Sequence, residues 1–329
     1  MNSAPTIFVT GASGHLGRRL LPRLLSLGYQ VRGQFRNRKK AEKFLSSAIE
    51  LVEGDIRNPG WLPEALSGCD YLIHSAAMVS LRPAKSEDMR SINVDGTRNV
   101  VEAARQAGIK RLVHISSVAA VGGSIDGVPL DENANFNLAG FGLLYFETKH
   151  EAEKLALEAS GSGMEVVTVN PSIIIYPPER KVTKDDLKKI PRFLPFYFDF
   201  GLNLVHADDV IEGIIAALEK GRNGERYILA GDNIDAPRLF AAAKKYFGIG
   251  KPLLKLPLPC LYPIGLAGEI FHRARHFGSL HGKGPRINRG MARLAGLRFF
   301  YDISKARREL GYNPRTMETL LEEILKDLN

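Results

Sequence analysis

Two polar side chains one helical turn apart, Tyr145 and Lys149, are the first candidates for chemistry in this sequence. A tyrosine can exchange a proton near neutral pH only if its phenol pKa falls from about 10, and a nearby ammonium group favours the phenolate. Residues four apart share one face of a helix, so the two side chains can act together. The pair therefore predicts acid/base catalysis on a substrate oxygen.

The same spacing recurs at Tyr301 and Lys305, so position along the chain must choose between the two pairs. Tyr145 lies on a helix predicted from about 144 to 159, between two strands of a regular strand and helix alternation. Tyr301 lies beyond that alternation. We predict that Tyr145 and Lys149 are catalytic and that Tyr301 is structural.

A glycine-rich loop joins the first predicted strand, residues 6–10, to a helix predicted over 15–27. Its glycines at 11, 14 and 17 allow a tight turn, close approach of the backbone to a pyrophosphate, and close packing of the helix on the sheet. The helix N-terminus adds free N–H groups and the positive end of a dipole. This loop predicts a dinucleotide site.

The end of the second predicted strand indicates which dinucleotide binds. An acidic residue there bonds the ribose 2′-hydroxyl of NAD, whereas an arginine accommodates the 2′-phosphate of NADP. This sequence reads Gln34-Phe35-Arg36-Asn37-Arg38 and has no acid at that position. We expect Arg36 to contact the phosphate and NADP(H) to be preferred, with NAD(H) as the alternative.

Strands and helices alternate through the first half of the chain, which predicts an α/β fold with a doubly wound parallel Rossmann sheet. After residue 170 the alternation breaks at an aromatic and proline-rich stretch, and one more strand is predicted at 226–230. We expect an NADP-binding domain formed by 1–170 plus about 205–230. A smaller, mostly helical substrate lobe would comprise about 171–204 plus 231–329.

Composition excludes several classes of protein. The 329 residues have 44% hydrophobic side chains, which argues against disorder, and only two cysteines, Cys69 and Cys260, which argues against a disulfide scaffold. No apolar run is long enough to span a membrane, no signal peptide is apparent, and no metal-ligand spacing occurs, so we expect a cytoplasmic protein without a metal.

The net charge of +9 is concentrated in two segments. Residues 32–43 contain six basic and one acidic side chain, which an NADP phosphate explains without nucleic acid. Residues 270–301 contain seven basic and no acidic side chains. The second segment is interpreted as a solvated face, with a surface that meets anionic lipid or an acidic substrate tail as the alternative.

Motifs along nearly the whole chain resemble those of the extended short-chain dehydrogenase/reductase family. The glycine spacing is G-x-x-G-x-x-G, and further matches follow in the family's order. These are Gly54-Asp55-Ile56, His74-Ser75-Ala76-Ala77, Asn93-Val94-Asp95-Gly96-Thr97, Ser116-Ser117, Tyr145-x-x-x-Lys149, Asn170-Pro171-Ser172, and Val205-His206-Ala207-Asp208-Asp209-Val210.

The resemblance implies further site residues. Ser117, five residues before Gly122, is favoured over Ser116 as the hydroxyl that orients the substrate oxygen, and Asn93 would support the lysine or serve only in helix packing. The cofactor contacts implied are Thr10, Gly11, Ser13, Gly14, His15, Leu16, Gly17, Arg36, Asp55, Ile56, Ser75, Ala76, Ala77, Tyr145, Lys149, Pro171 and Ser172.

Oxidoreductases, sugar-nucleotide epimerases and dehydratases all occur in this family, so the fold does not choose the reaction. Ser117 is followed by Val118-Ala119 and not by the Asp-Glu pair of 4,6-dehydratases, and apolar residues abound at 190–204 and 252–271. The chain is most similar to the branch of 3β-hydroxysteroid dehydrogenases and dihydroflavonol reductases. We expect hydride transfer to or from an apolar small-molecule substrate in a homodimer. The alternatives are a sugar-nucleotide epimerase and a non-catalytic NADP(H) sensor.

Overall fold

The computed structural model describes residues 4–42, 46–80, 86–161, 163–176, 196–248, 254–263, 266–267 and 289–326. Most of the aromatic and proline-rich stretch after residue 176, and the basic stretch 270–288, lie outside the described residues. For these residues the structure therefore tests neither the predicted substrate lobe nor the predicted solvated basic face.

Seven parallel strands form the main sheet, in the order β10-β6-β5-β4-β1-β2-β3. The order reverses between β1 and β4, and such a switch point opens a crevice at the carboxyl ends of the strands, where ligands bind. The strands of this sheet are β1 (Thr6–Thr10), β2 (Gln30–Phe35), β3 (Glu50–Glu53), β4 (Tyr71–His74), β5 (Arg111–Ile115), β6 (Glu165–Pro171) and β10 (Arg226–Leu229).

Helices cover both faces of the sheet, so apolar residues fill a layer on each side. Leu20 and Leu24 pack in the layer that also holds Ile214, whereas Leu66 and Val100 belong to the opposite layer. The helices are α1 (His15–Ser26), α2 (Arg38–Ala41), α3 (Leu62–Leu66), α4 (Ser86–Arg90), α5 (Gly96–Gln106), α6 (Leu144–Glu158), α7 (Ala207–Lys220), α8 (Ala236–Phe247), α9 (Arg289–Leu294), α10 (Ser304–Leu310) and α11 (Met317–Lys326).

Two smaller sheets follow the main one. The first has the order β11-β9-β7, with β7 parallel and β11 antiparallel to β9, and the second pairs β8 with β12. Their strands are β7 (Ile173–Ile175), β8 (Phe196–Tyr197), β9 (Gly201–His206), β11 (Asp232–Asp235) and β12 (Leu254–Lys255). The predicted doubly wound α/β fold is confirmed, including the return of residues 226–229 to the main sheet.

One predicted helix is not continuous. The apolar spacing of residues 88–107 predicts a single long helix, but the structure has a π-helical turn, Ser91–Asp95, between α4 and α5. Such turns are frequent at functional sites because they shift the side chains of one turn relative to the next. This turn contains Asn93, one of the predicted site residues.

Candidate active site

The glycine-rich loop has the geometry of a phosphate cradle. Gly11 has φ of +70°, and a Cβ there would lie 2.9 Å from the Cα of Ala76. A Cβ on Gly17 would lie 2.6 Å from the carbonyl oxygens of Gly11 and Ala12. Helix α1 begins after Gly14 without a side-chain cap. Because a helix N-terminus leaves N–H groups unpaired, the first turn of α1 can receive an anion.

Thr10 and Gln34 fix this loop from behind. The Thr10 hydroxyl accepts hydrogen bonds of 3.1 Å from the backbone N–H groups of both Ser75 and Ala76. The Gln34 side chain accepts a bond of 2.9 Å from the N–H of Gly11 and donates one of 2.5 Å to the carbonyl of Gly54. Sequence reasoning missed Gln34, whose amide joins the carboxyl ends of three strands.

A cleft of about 440 Å³ opens above the loop at the strand switch point. Ten of the predicted cofactor residues line it: Gly11, Ser13, Gly14, His15, Arg36, Asp55, Ile56, Ser75, Ala76 and Ala77. Residues that the sequence did not single out complete the lining: Arg18, Gln34, Phe35, Met78 and Ile92. Its size and the arginines in its lining suit a dinucleotide.

Three predicted cofactor residues of this region lie outside the cleft lining. Leu16 is buried in the apolar layer beneath α1, Gly17 packs against the loop backbone, and Thr10 is fully buried behind the loop. These residues shape the loop from behind and beneath, and their contact with a cofactor stays a prediction.

Arg36 and Asp55, two of the predicted cofactor residues in the cleft lining, differ in charge and in their partners. Arg36 is exposed directly after β2. A hydrogen bond from Arg57, with a smaller contribution from the charge of Arg36, holds the pKa of Asp55 below its usual value. Arg57 pairs with Asp55 at 2.7 Å, which leaves Arg36 as the cation at the β2 end of the lining.

Tyr145, Lys149 and Ser117 come together where α6 passes the end of β5. Lys149 is 3% exposed, and its ammonium group donates a hydrogen bond of 2.8 Å to the carbonyl of Ile115. Hydrogen bonding from the Ser117 side chain lowers the pKa of the Tyr145 phenol. Ser116, in contrast, is buried, and its hydroxyl has no partner among the described residues.

Burial acts on both members of the Tyr145 and Lys149 pair. Burial raises the pKa of the Tyr145 phenol, against the smaller effect of Ser117, so the phenol is protonated at neutral pH. We expected the Lys149 ammonium group to lower the pKa of the Tyr145 phenol, but the structure shows no such effect. Burial also lowers the pKa of Lys149 from 10.5 to about 8, which the charge of Glu153 partly offsets. At pH 7 the site therefore combines a neutral phenol with a charged ammonium group.

Asn93 is buried in the π-helical turn and fastens the segment after β4. Its side chain accepts a bond of 2.7 Å from the N–H of Met78 and donates one of 3.0 Å to the carbonyl of the same residue. It also donates to the Thr148 hydroxyl at 3.2 Å. Asn93 thereby connects the cleft wall to α6, next to Lys149.

Pro171 and Ser172 are buried at the end of β6, outside the cleft lining. The Ser172 hydroxyl has no hydrogen-bond partner among the described residues. Tyr176, which the sequence analysis did not single out, places its ring 5.4 Å from the ring of His15. Burial raises the pKa of the Tyr176 phenol, so this ring beside the loop is also neutral at pH 7.

The Tyr145 ring packs on one side of an apolar cluster. Its buried members are Ala119, Leu138, Leu143 and Phe146, and partly buried residues packed on them are Phe136, Phe141, Tyr145, Leu294, Leu297 and Phe299. Part of this cluster comes from the segment after β5 and part from the C-terminal region. An apolar surface thus adjoins the phenol.

The second Tyr and Lys pair holds the fold together. The Tyr301 hydroxyl is buried and donates a bond of 2.8 Å to the carbonyl of Gly122. Lys305 binds the carboxylate of Glu225 at 2.6 Å and the carbonyl of Arg226 at 2.9 Å. These contacts agree with the structural interpretation of Tyr301.

Other classes of site find no support in the described segments. No group of His, Cys, Asp and Glu there could hold a metal ion. No helix of those segments combines the length and apolar character that crossing a membrane requires.

Comparison with known proteins gives a consistent assignment. Residues 7–230 match the model of the NAD dependent epimerase/dehydratase family. The chain is 33% identical over 94% of its length to 92% of the 4-hydroxy-2-methyl-3-oxo-4-farnesyl-3,4-dihydroquinoline-1-oxide ketoreductase of Stigmatella aurantiaca. It is 30% identical over 97% of its length to 90% of a 3-beta-hydroxysteroid dehydrogenase of Mycolicibacterium neoaurum.

A solved structure is similar over almost the whole chain. The crystal structure of gox2253 superposes with a TM-score of 0.78 at 34% sequence identity, covering 99% of this chain and 97% of the other. The matched lengths place both the glycine-rich loop and the Tyr145 region within the shared fold.

Proposed function

This chain belongs to the NAD dependent epimerase/dehydratase family, and on that premise we propose that it is an NADP(H)-dependent oxidoreductase. It transfers a hydride between nicotinamide and a carbonyl or secondary alcohol carbon of an apolar or aromatic substrate. The observation that carries the proposal is the meeting of Tyr145, Ser117 and Lys149 at the end of β5, two strands from the phosphate loop.

The protonation states suit carbonyl reduction. The neutral Tyr145 phenol can donate its proton to the substrate oxygen, and Ser117 can hydrogen-bond the same oxygen as negative charge develops on it. The Lys149 ammonium group, held by the Ile115 carbonyl, stabilises the phenolate that remains. A bound nicotinamide supplies or accepts the hydride. In the oxidative direction the same residues take up the proton.

Two arginines of the cleft lining suit a phosphate-bearing cofactor, and Arg36 supports NADP(H) over NAD(H). Arg36 follows the last residue of β2, where a 2′-phosphate is received, and no carboxylate occupies that position. Arg18 lines the same cleft, with its Nε bound to the carbonyl of Ser13 at 3.0 Å. Guanidinium groups bind phosphate with charge-assisted hydrogen bonds, and NAD(H) lacks the 2′-phosphate, so loss of Arg36 should affect NADP(H) and not NAD(H), whereas Arg18, beside the glycine-rich loop, can serve the pyrophosphate of either.

An apolar substrate is supported by the cluster beside Tyr145. A sugar diphosphate needs charged partners, whereas the described residues next to this phenol are mainly Phe and Leu. The two relatives named above are named for a farnesyl-bearing ketone and a hydroxysteroid, both largely apolar compounds. The absence of an acid pair after Ser117, where Val118 and Ala119 stand, argues against dehydration chemistry.

We also propose a division of labour along the chain. Residues 1–170 plus about 205–230 would bind the cofactor, and about 171–204 plus 231–329 would bind the substrate. The helices near 88–107 and 144–159 would form the seam of a homodimer.

The test is a panel of ketones, aldehydes and secondary alcohols, monitored by NADPH absorbance. We expect turnover with apolar members, and a loss of at least about a hundredfold in kcat for Tyr145→Phe with NADPH binding retained. Tyr301→Phe is the matched control, because it removes the tyrosine of the second pair, and it should keep kcat.

Three outcomes would contradict the proposal. Full activity of Tyr145→Phe would remove the catalytic assignment. Tight retention of cofactor with no net consumption of NADPH would indicate an epimerase. NADPH binding without turnover of any panel member would indicate a sensor.

A further inference from the structure

Glu153 is a buried carboxylate on the helix that carries the catalytic candidates. It is 2% exposed and lies one helical turn beyond Lys149 on α6, in line with Tyr145. Burying a carboxylate costs free energy unless it is paired and hydrogen-bonded. The Glu153 carboxylate therefore needs a cation and hydrogen-bond donors beside it, and the structure has both.

Arg226 and Asn170 hold the Glu153 carboxylate in place. Arg226, on the neighbouring edge strand β10, approaches Oε1 at 2.9 Å, and the Asn170 amide donates to Oε2 at 2.5 Å. Arg226 is itself fixed, since it also donates to the carbonyls of Glu132 at 2.7 Å and Ala134 at 2.9 Å. The negative charge is therefore held at a defined distance from Lys149.

Other titratable groups face Lys149 from the strands beneath α6. Burial lowers the pKa of His74 to about 3 and the pKa of His114 well below its usual value, so both imidazoles are neutral at pH 7. Tyr145 is neutral as well. Among the described groups around Lys149, Glu153 is the carboxylate whose charge acts on the ammonium group, with Arg226 behind it.

We propose that Glu153 is a positioning residue that keeps Lys149 protonated through the neutral range and so sets the alkaline limit of hydride transfer. Without this carboxylate, burial alone would act on Lys149, and the ammonium group would lose its proton at a lower pH. The inference about turnover rests on the function proposed for this site. The protonation of Lys149 itself does not, so the two can be tested separately.

The experiment is a pH titration of Glu153→Gln with two readouts. Lysine is labelled with ¹³C at Cε, and the Lys149 signal is identified by its loss in Lys149→Met. We expect the titration midpoint of Lys149, near 8 in the unmodified protein, to fall by roughly one to two pH units, as expected for removal of a unit charge one helical turn away. The alkaline limb of the kcat profile should move by the same amount.

Two further variants separate charge from packing. Glu158→Gln removes a carboxylate from the same helix, but that carboxylate is 65% exposed and pairs with Lys154 at 3.8 Å, so the Lys149 midpoint should stay unchanged. Glu153→Gln combined with Arg226→Met removes the unpaired cation left by the single change. A charge effect of Glu153 predicts that the midpoint stays low in this double variant.

The proposal is overturned if the Lys149 midpoint in Glu153→Gln equals that of the unmodified protein, or if the double variant restores it. The second result would mean that only the unpaired Arg226 had mattered. Failure of the function proposal has a different signature: Tyr145→Phe would retain full activity, or the unmodified protein would show no net consumption of NADPH, while the NMR titration still reports Lys149. If the single variant does not fold, the double variant answers the question.

Discussion

Burial of Lys149 predicts a free-energy cost that can be measured without any substrate. In the folded protein the pKa of Lys149 is lowered from 10.5 to about 8. Between these two pH values, Lys149 is therefore protonated in the unfolded chain and deprotonated in the folded one. Stability therefore rises with pH through this window. The cost is fully present below pH 8 and is relieved as the pH approaches 10.5.

The size of the effect follows from the shift. Lowering a pKa from 10.5 to about 8 corresponds to about 3 kcal/mol, at 1.36 kcal/mol per unit. Lys149→Met fills the same space without a charge and removes the titration. The hydrogen bond to the carbonyl of Ile115 is lost as well, which costs about 1 kcal/mol. At pH 7 we expect the variant to be more stable by about 2 kcal/mol.

The assay is urea unfolding of both proteins at several values between pH 7 and pH 10.5, monitored by circular dichroism. The difference in unfolding free energy between them cancels the titration of other groups. We expect the advantage of Lys149→Met to shrink by about 3 kcal/mol across the range. A difference independent of pH, or one that grows with pH, would refute the reasoning that burial depresses this lysine.

Two further predictions concern the cofactor cleft. Arg36→Gln should weaken NADPH binding by about ten- to 150-fold, the equivalent of one charge-assisted hydrogen bond of about 1.5–3 kcal/mol, and leave NADH binding unchanged. Fluorescence titration measures the binding of both cofactors. The control is Arg38→Gln, which removes an exposed partner of Glu42. Equally weakened NADH binding in Arg36→Gln would contradict the phosphate contact. Gly17→Ala should destabilise the protein by about 1–3 kcal/mol and weaken both cofactors, because its Cβ would meet backbone oxygens at 2.6 Å. Gly60→Ala, which has open space, should leave both properties unchanged.

The sequence predicts the main sheet well because each buried strand is a short apolar run followed by a turn signal. The apolar runs at 6–10, 30–35 and 71–74 predict three strands, and β1, β2 and β4 begin and end at these residues. The π-helical turn around Asn93 could not be predicted from the sequence. Such a turn contains one residue more than an α-helical turn, and this small change is not visible in the apolar spacing of an amphipathic helix. Strands β7, β9 and β11 were also missed, because β7 and β11 are short and all three pair with one another across a long stretch of chain.

The site was predictable where function constrains residue type and spacing. The loop glycines and the Tyr145 pair have such constraints. Gln34 lies in a strand, where the alternation of apolar and polar residues predicts only whether a side chain is buried. The hydrogen bonds of its side-chain amide are not visible in that pattern. Tyr176 meets His15 through the fold and not through sequence spacing. Contacts of this kind need the three-dimensional structure.

The most direct test of hydride transfer with Tyr145 as the proton donor uses NADPH deuterated at both C4 positions of the nicotinamide. The enzyme is incubated with apolar ketones of the panel, and the products are analysed by mass spectrometry. Hydride transfer predicts deuterium on the carbinol carbon, one per NADP⁺ formed, and its loss in Tyr145→Phe with NADPH still bound. Undeuterated products with unconsumed NADPH, or equal transfer by Tyr145→Phe, would contradict it.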